Sequence, residues 1–202
     1  MSNASLIDLP PFKAQLIHDL LPETQADRLA SQQLSLLPWY QARLHLYGRW
    51  VWSPRLQCWI GDASARYRYS GLDLEPEPWP QWLTDVKRMV ESASSTHFNS
   101  VLCNWYRNGS DSMGWHSDNE PELGPAPLIA SLSLGQPRTF HFRPVGKTRT
   151  FASFTLPHNS LLIMPPGLQT HYQHQLPKTR KVIGDRFNLT FRSIPTPSPH
   201  KA

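Results

Sequence analysis

The chain has 202 residues and a net charge of +5, from 20 Lys and Arg against 15 Asp and Glu. That length suits one domain hiding roughly 70% of its unfolded surface. Two cysteines, Cys58 and Cys103, with no CxxC pair, exclude a disulfide framework and a cysteine zinc site, and make a reducing compartment the expectation. No basic-then-apolar leader opens the sequence, and no run approaches eighteen apolar residues, so neither a secreted nor a membrane-spanning protein is expected.

Residues 1–20 read as an N-terminal arm. "LPETQADRLASQQLSLLP" (21–38) reads as a helix, with Pro22 at its start and Pro38 beyond its end. "LHLYGRWVWSPRLQCWIGD" reads as a hairpin turning at Tyr47-Gly48, followed by a loop, inside a segment of about 40–72. A second helix is expected in "PQWLTDVKRMVESAS", where Trp82, Leu83, Val86 and Val90, with Trp79 just before the stretch, recur at helical spacing.

From residue 98 the helical period vanishes. "FNSVLCNWY", "LIASLSL", "RTFHFR", "TFASFTL", "NSLLIMPP" and "DRFNLTFR" follow one another, separated by turn signals such as "NGSD" and "PPG". Short strands at such intervals predict an α+β protein dominated by a jelly-roll double sheet over 98–194, with the earlier helices covering one sheet. The chain is read as a single domain, 21–194, with a disordered tail over 195–202.

Two strands carry a polar face. In "RFNLTFR" Arg186, Asn188, Thr190 and Arg192 alternate with Phe187, Leu189 and Phe191; in "RTFHFR" the polar set is Thr139, His141 and Arg143. Such a face meets either solvent or a ligand cavity, and alternation alone leaves both open. Two arginines on one face suit a dicarboxylate or a phosphate. Charge is also uneven: nine Lys or Arg and one acid, Asp185, lie between Arg138 and Arg192. A basic C-terminal half suggests an anionic partner such as nucleic acid, or simply a solvated surface.

In "NWYRNGSDSMGWHSDNE", Asn104 and Tyr106, and likewise His116 and Asp118, are spaced by two, so each pair shares a face if extended. Two histidines and one carboxylate are the facial triad of non-haem Fe(II) oxygenases, although zinc accepts the same ligand types. Histidines at 141, 158, 171 and 174 are available as the third ligand.

"NWY", "HSD", "LIASLSL", "HQLP" and "RFNLTFR", in this order and spacing, resemble the AlkB-like Fe(II)/2-oxoglutarate-dependent dioxygenases, over roughly residues 46–194. "RYRYSG" and "LYGRWVWSPR" resemble the branch that acts on nucleic acid. The resemblance implies iron held by His116, Asp118 and His174, with His174 preferred over His171 because it opens "HQLP". It implies Arg192 on the distal carboxylate of 2-oxoglutarate, with Asn104, Tyr106 and Arg186 bonding the cosubstrate. It also implies O2 as second cosubstrate and oxidative removal of N-methyl groups from 1-methyladenine or 3-methylcytosine as formaldehyde, with succinate and CO2 formed.

A base in a duplex is out of reach, so the nucleotide must be flipped or taken from a single strand. By the same resemblance Tyr69 and Tyr67 line the base pocket and Glu120 reads the exocyclic amine, Asn119 standing where several relatives carry an acid. Tyr47 is the wedge that fills the gap, and Arg49 and Arg55 contact DNA phosphates. Trp50 and Trp52 are read as anchors for the hairpin. The partner expected is DNA, duplex or single-stranded, with RNA as the alternative, bound by a monomer in the cytoplasm of a prokaryote or the nucleus of a eukaryote. The other reading is a non-catalytic double-sheet module that binds nucleic acid.

Overall fold

The structure, a computed structural model, describes residues 3–46, 48–65, 67–69, 72–181 and 183–195, with backbone only at 46, 67–69 and 72–74. Its strands are β1 (Ala4–Leu9), β2 (Phe12–Ile17), β3 (Arg43–Leu46), β4 (Arg49–Trp52), β5 (Leu56–Gly61), β6 (Tyr67–Tyr69) and β7 (Leu72–Leu74). They continue with β8 (Ser100–Tyr106), β9 (Met113–His116), β10 (Ile129–Gly135), β11 (Arg138–Pro144), β12 (Ala152–Leu156), β13 (Ser160–Met164), β14 (Tyr172–Leu176) and β15 (Arg186–Arg192). The α-helices are α1 (Glu23–Arg28), α2 (Gln81–Ser94) and the single turn α3 (Leu168–His171).

Seven strands form one sheet in the order β1-β2-β13-β10-β15-β8-β5, and four form a second in the order β12-β11-β14-β9. All pairings within them are antiparallel. This is the expected double sheet. Its two hydrophobic clusters follow from the alternation. Phe187, Leu189 and Phe191 of β15 join Ala130, Leu132 and Leu134 of β10 under α1 and α2, while Phe140, Phe142 and Leu176 pack between the sheets.

The helix α2 buries Leu83, Val86 and Val90 as the spacing predicts. Trp79 precedes it, tied by its indole N–H to Asp62 Oδ1 at 2.8 Å. The segment 21–38 is helical from Glu23 to Leu36, but only its first turns are α; Leu29–Gln33 is π and Leu34–Leu36 is 3₁₀.

Two expectations need correction. The N-terminal arm is a hairpin: β1 pairs with β2, and β2 adds to β13 at the edge of the larger sheet. Leu9, Ala14 and Leu16 are buried there, a pattern too short to stand out from loop sequence. The loop expected after the β3–β4 hairpin is instead β5, pairing with β8 and almost wholly buried. A continuous apolar run such as "LQCWIG" lacks the alternation that marks a half-exposed strand. The tail from 196 and residue 47 lie outside the described residues.

Candidate metal and keto-acid site

The polar face of β15 looks inward. Arg186, Asn188, Thr190 and Arg192 line a cavity of about 220 Å³ between the sheets, together with Asn104 and Tyr106 of β8 and Ser131 of β10. The register explains the grouping: Tyr106 lies opposite Arg186 and Asn104 opposite Asn188. Such directly opposed residues hold their Cβ atoms about 5 Å apart. Asn188 Nδ2 donates to Ser131 Oγ at 2.7 Å and Arg186 Nη2 to Ser133 Oγ at 2.8 Å, so the serines of "LIASLSL" brace the face. The polar face of β11 does the reverse. Phe140 meets the cavity, while His141 and Arg143 face outward, bonded to Gln175 and Gln173 of β14.

The smaller sheet supplies the imidazoles. His116 of β9 is the direct cross-strand partner of His174 of β14, and their ring centroids are 4.2 Å apart. Asp118 follows β9, with its N–H donating to the buried Gln169 side chain at 3.0 Å. Its carboxylate lies 4.0 Å from His116 Nε2 and 3.9 Å from His174 Nε2. One ligand atom from each of the three lies within 4.8 Å of the others. His171 is elsewhere, edge-on to Phe12 at 5.1 Å.

The electrostatics favour a bound cation. Burial pushes His174 down to about 3, with His116 beside it acting in the same direction. Burial likewise lowers His116. Burial alone would raise Asp118, but Arg192 and the two imidazoles hold it well below the usual carboxylate range. All three donors are therefore deprotonated at neutral pH, the state a metal requires. His116 Nδ1 sits 2.9 Å from the Gly114 carbonyl, which needs the proton on that nitrogen and leaves Nε2 a lone pair towards the cluster. Two neutral imidazoles and a carboxylate fit iron(II).

The arginines divide unlike the expectation. Arg192 Nη2 donates to Asp118 Oδ1 at 2.6 Å, so Arg192 stands at the metal end and not at the distal end of a chelated keto acid. Arg186, six residues back on the same strand, lies over the Tyr106 ring at 5.2 Å. Its Nε is buried without a hydrogen-bond partner, and burial pushes its guanidinium down to about 10. The groups acting on it are Tyr106 and Arg138, not a carboxylate. A buried cation with that environment fits an anion.

Of the residues expected at the base and the DNA, Glu120 lines the cavity and Arg49 is exposed on β4. Arg55 is misplaced by the sequence reading. It is buried, lines the cavity, and its Nε donates to Asn104 Oδ1 at 2.7 Å. A guanidinium closed off in this way does not meet phosphates. The hairpin tryptophans are not anchors either: Trp50 and Trp52 are 59% and 63% exposed. Tyr67 and Tyr69 belong to β6, paired with β7, but their side chains, like Tyr47, lie outside the described residues. Gln169 carried no motif; only the fold, which brings α3 against the segment after β9, reveals it.

Comparison with known proteins agrees. The profile of the 2OG-Fe(II) oxygenase superfamily matches residues 13–192. The Mus musculus protein "DNA oxidative demethylase ALKBH2" is 37% identical over 185 residues, covering 87% of this chain and 77% of that one. The Homo sapiens "Alpha-ketoglutarate-dependent dioxygenase alkB homolog 3" is 38% identical over 187 residues, 88% of this chain and 64% of that one. The Homo sapiens ALKBH2 is 43% identical over 160 residues, 76% of this chain and 61% of that one. The chain thus spans less than two thirds of both human relatives. The solved structure of OsALKBH1 has the same fold, with a TM-score of 0.68 at 18% identity, covering 94% of this chain and 100% of that chain.

Proposed function

Since the chain belongs to the 2OG-Fe(II) oxygenase superfamily and, within it, to the AlkB-like dioxygenases, we propose that it repairs DNA by oxidative removal of methyl groups from base nitrogens. Membership carries with it iron(II), 2-oxoglutarate and O2. Bound together, these supply the oxidant that hydroxylates the methyl carbon, with succinate and CO2 as coproducts. The hydroxymethyl group then leaves the base nitrogen as formaldehyde.

The observation that carries this reading is the meeting, in one cavity, of the His116–Asp118–His174 cluster with an arginine that lacks a carboxylate. His116, Asp118 and His174 hold the metal. Arg192 fixes the Asp118 carboxylate in orientation. Arg186 and Tyr106 take the distal carboxylate of the keto acid, and Asn104, itself held by Arg55, borders the same space. Phe140 and Leu102 help exclude water from the reacting centre. Glu120 accepts from the exocyclic amine of a flipped 1-methyladenine or 3-methylcytosine, whose ring is cationic, with Tyr67 and Tyr69 beside it. Tyr47 fills the vacated stack and Arg49 meets a phosphate.

The expected working form is a monomer acting on DNA. No helix of the described residues is long and apolar enough to cross a membrane. We place the protein where DNA is, the cytoplasm of a prokaryote or the nucleus of a eukaryote.

The test is incubation of a duplex containing 3-methylcytosine with the protein, Fe(II), 2-oxoglutarate and ascorbate. Formaldehyde and unmethylated cytosine in equal amounts are the expected products. Absence of both on DNA, with turnover on the matched RNA, would make this an RNA-directed enzyme; absence on either leaves a binding module.

A further inference from the structure

The β3–β4 hairpin is a two-stranded sheet of its own, separate from the double sheet. Its register sets Arg43 opposite Trp52 and His45 opposite Trp50, so these four side chains share one face. Large aromatics left this bare on a small hairpin call for an occupant, since isolated surface apolar residues are ordinary but clustered ones mark contact sites. The Arg43 guanidinium lies 5.5 Å from the Trp50 ring and 5.9 Å from the Trp52 ring, and the His45 ring is 5.1 Å from Trp50. Two indoles, an imidazole and a guanidinium thus make one continuous array of flat, electron-rich or cationic surfaces.

Resting on the demethylase reading, we propose that this face is a stacking platform for unpaired nucleotides that flank the target base on its own strand. Three observations select that occupant. From Arg28 to Gly61 the chain carries no acidic residue, so the field of the hairpin attracts a polyanion. Interleaved aromatic and basic side chains are the makings of a single-strand site, in which bases stack on rings and cations follow the backbone. The platform is also joined to the catalytic cavity by a short stretch of chain. Ser53 is buried and its N–H donates to the Ala42 carbonyl at 2.8 Å, closing the base of the hairpin. Arg55, two residues on, lines the cavity. At no more than about 3.5 Å per residue, Trp52 lies within roughly 11 Å and Trp50 within roughly 18 Å of Arg55, the span of a few nucleotides. A duplex hides its base faces, so the platform serves strands that are already open.

The test compares wild type with Trp50→Ala, Trp52→Ala and the double variant, each confirmed folded by its thermal melt. Binding to a fluorescein-labelled, unmethylated 15-mer of oligodeoxythymidine is read by anisotropy at fixed salt. Each alanine is expected to weaken binding about tenfold, which is about 1.4 kcal/mol, and Trp→Phe at the same positions to restore most of it. In turnover, KM for a 15-mer bearing one 3-methylcytosine rises at least fivefold more than KM for a methylated trinucleotide, which is too short to span the platform. A control, Leu36→Ala, changes an exposed residue of the 3₁₀ turn and leaves the 15-mer bound as in wild type.

Unchanged anisotropy in the double variant overturns the platform, and a partner protein then becomes the better occupant. Equal loss for 15-mer and trinucleotide overturns it too, because the tryptophans would then act on the cavity. If the wild type turns over no methylated oligonucleotide, yet the 15-mer still depends on both indoles, the platform stands and the demethylase reading falls.

Discussion

Arg186→Met separates ligand binding from folding in opposite directions. The guanidinium is fully buried, bonds Ser133 through Nη2, and has Tyr106 and Arg138 for electrostatic neighbours. A guanidinium pushed from 12.5 to about 10 carries about 3 kcal/mol against its charged form in the ligand-free protein. Methionine fills similar volume without charge and gives up the hydrogen bonds to Ser133 and Tyr106, together worth about 2 kcal/mol. The ligand-free variant is therefore expected to be about 1 kcal/mol more stable, raising Tm by about 2 to 4 °C for a chain of this length.

Binding moves the other way. Truncating one member of a buried charge pair costs about 2 to 5 kcal/mol, so KM for 2-oxoglutarate should rise about 30-fold to several thousandfold. The assay is steady-state turnover against 2-oxoglutarate, with thermal melts in its presence and absence. Wild type gains about 2.7 kcal/mol from the keto acid at one hundred times its Kd, and the variant gains less than about 1 kcal/mol at that concentration. A KM within threefold of wild type, or a ligand-free variant that melts lower, would show that Arg186 is a structural cation and not the carboxylate's partner.

His174→Ala is expected to abolish turnover and the rise in Tm that Fe(II) gives the wild type, whereas His171→Ala, outside the cluster, keeps both. Tyr47→Ala should raise KM for methylated duplex about tenfold and leave single strands within threefold; equal loss on both refutes the wedge. For Asp111, burial acts to raise the carboxyl, but hydrogen bonds from Arg107 and the charges of Arg107 and Arg138 hold it below its ordinary value. Its contribution is therefore present at neutral pH and is lost as pH falls from about 4 through the lowered value. Asp111→Asn should cost about 1 kcal/mol at pH 7 and flatten that acid limb in urea melts. Gly135→Ala places a methyl 2.5 Å from the Asp185 carbonyl at a φ of +83°, so it should destabilise by about 2 kcal/mol or more, read in the same melts.

What the sequence determined by itself is local chemistry and its periodicity. The alternation of "RFNLTFR" placed four polar side chains on one face, the spacing of two joined Asn104 to Tyr106, and the helical period of α2 chose Leu83, Val86 and Val90 for burial. The series from "NWY" to "RFNLTFR" also named the donor set and singled out His174 from its neighbour His171. A period of two, however, tells which residues face together and not what they face. Tertiary structure alone turned the β15 polar side to the cavity and the β11 polar side outward, because that depends on which sheet lies across. It also made partners of His116 and His174, which are joined by β-pairing across 57 intervening residues. The same long-range pairing folded Arg55 into the cavity, tied Arg192 to Asp118 while setting Arg186 over Tyr106, and left two tryptophans in solvent. Burial and ion pairing of a long cationic side chain are decided by what surrounds its end, several ångströms from the backbone that the sequence pattern describes.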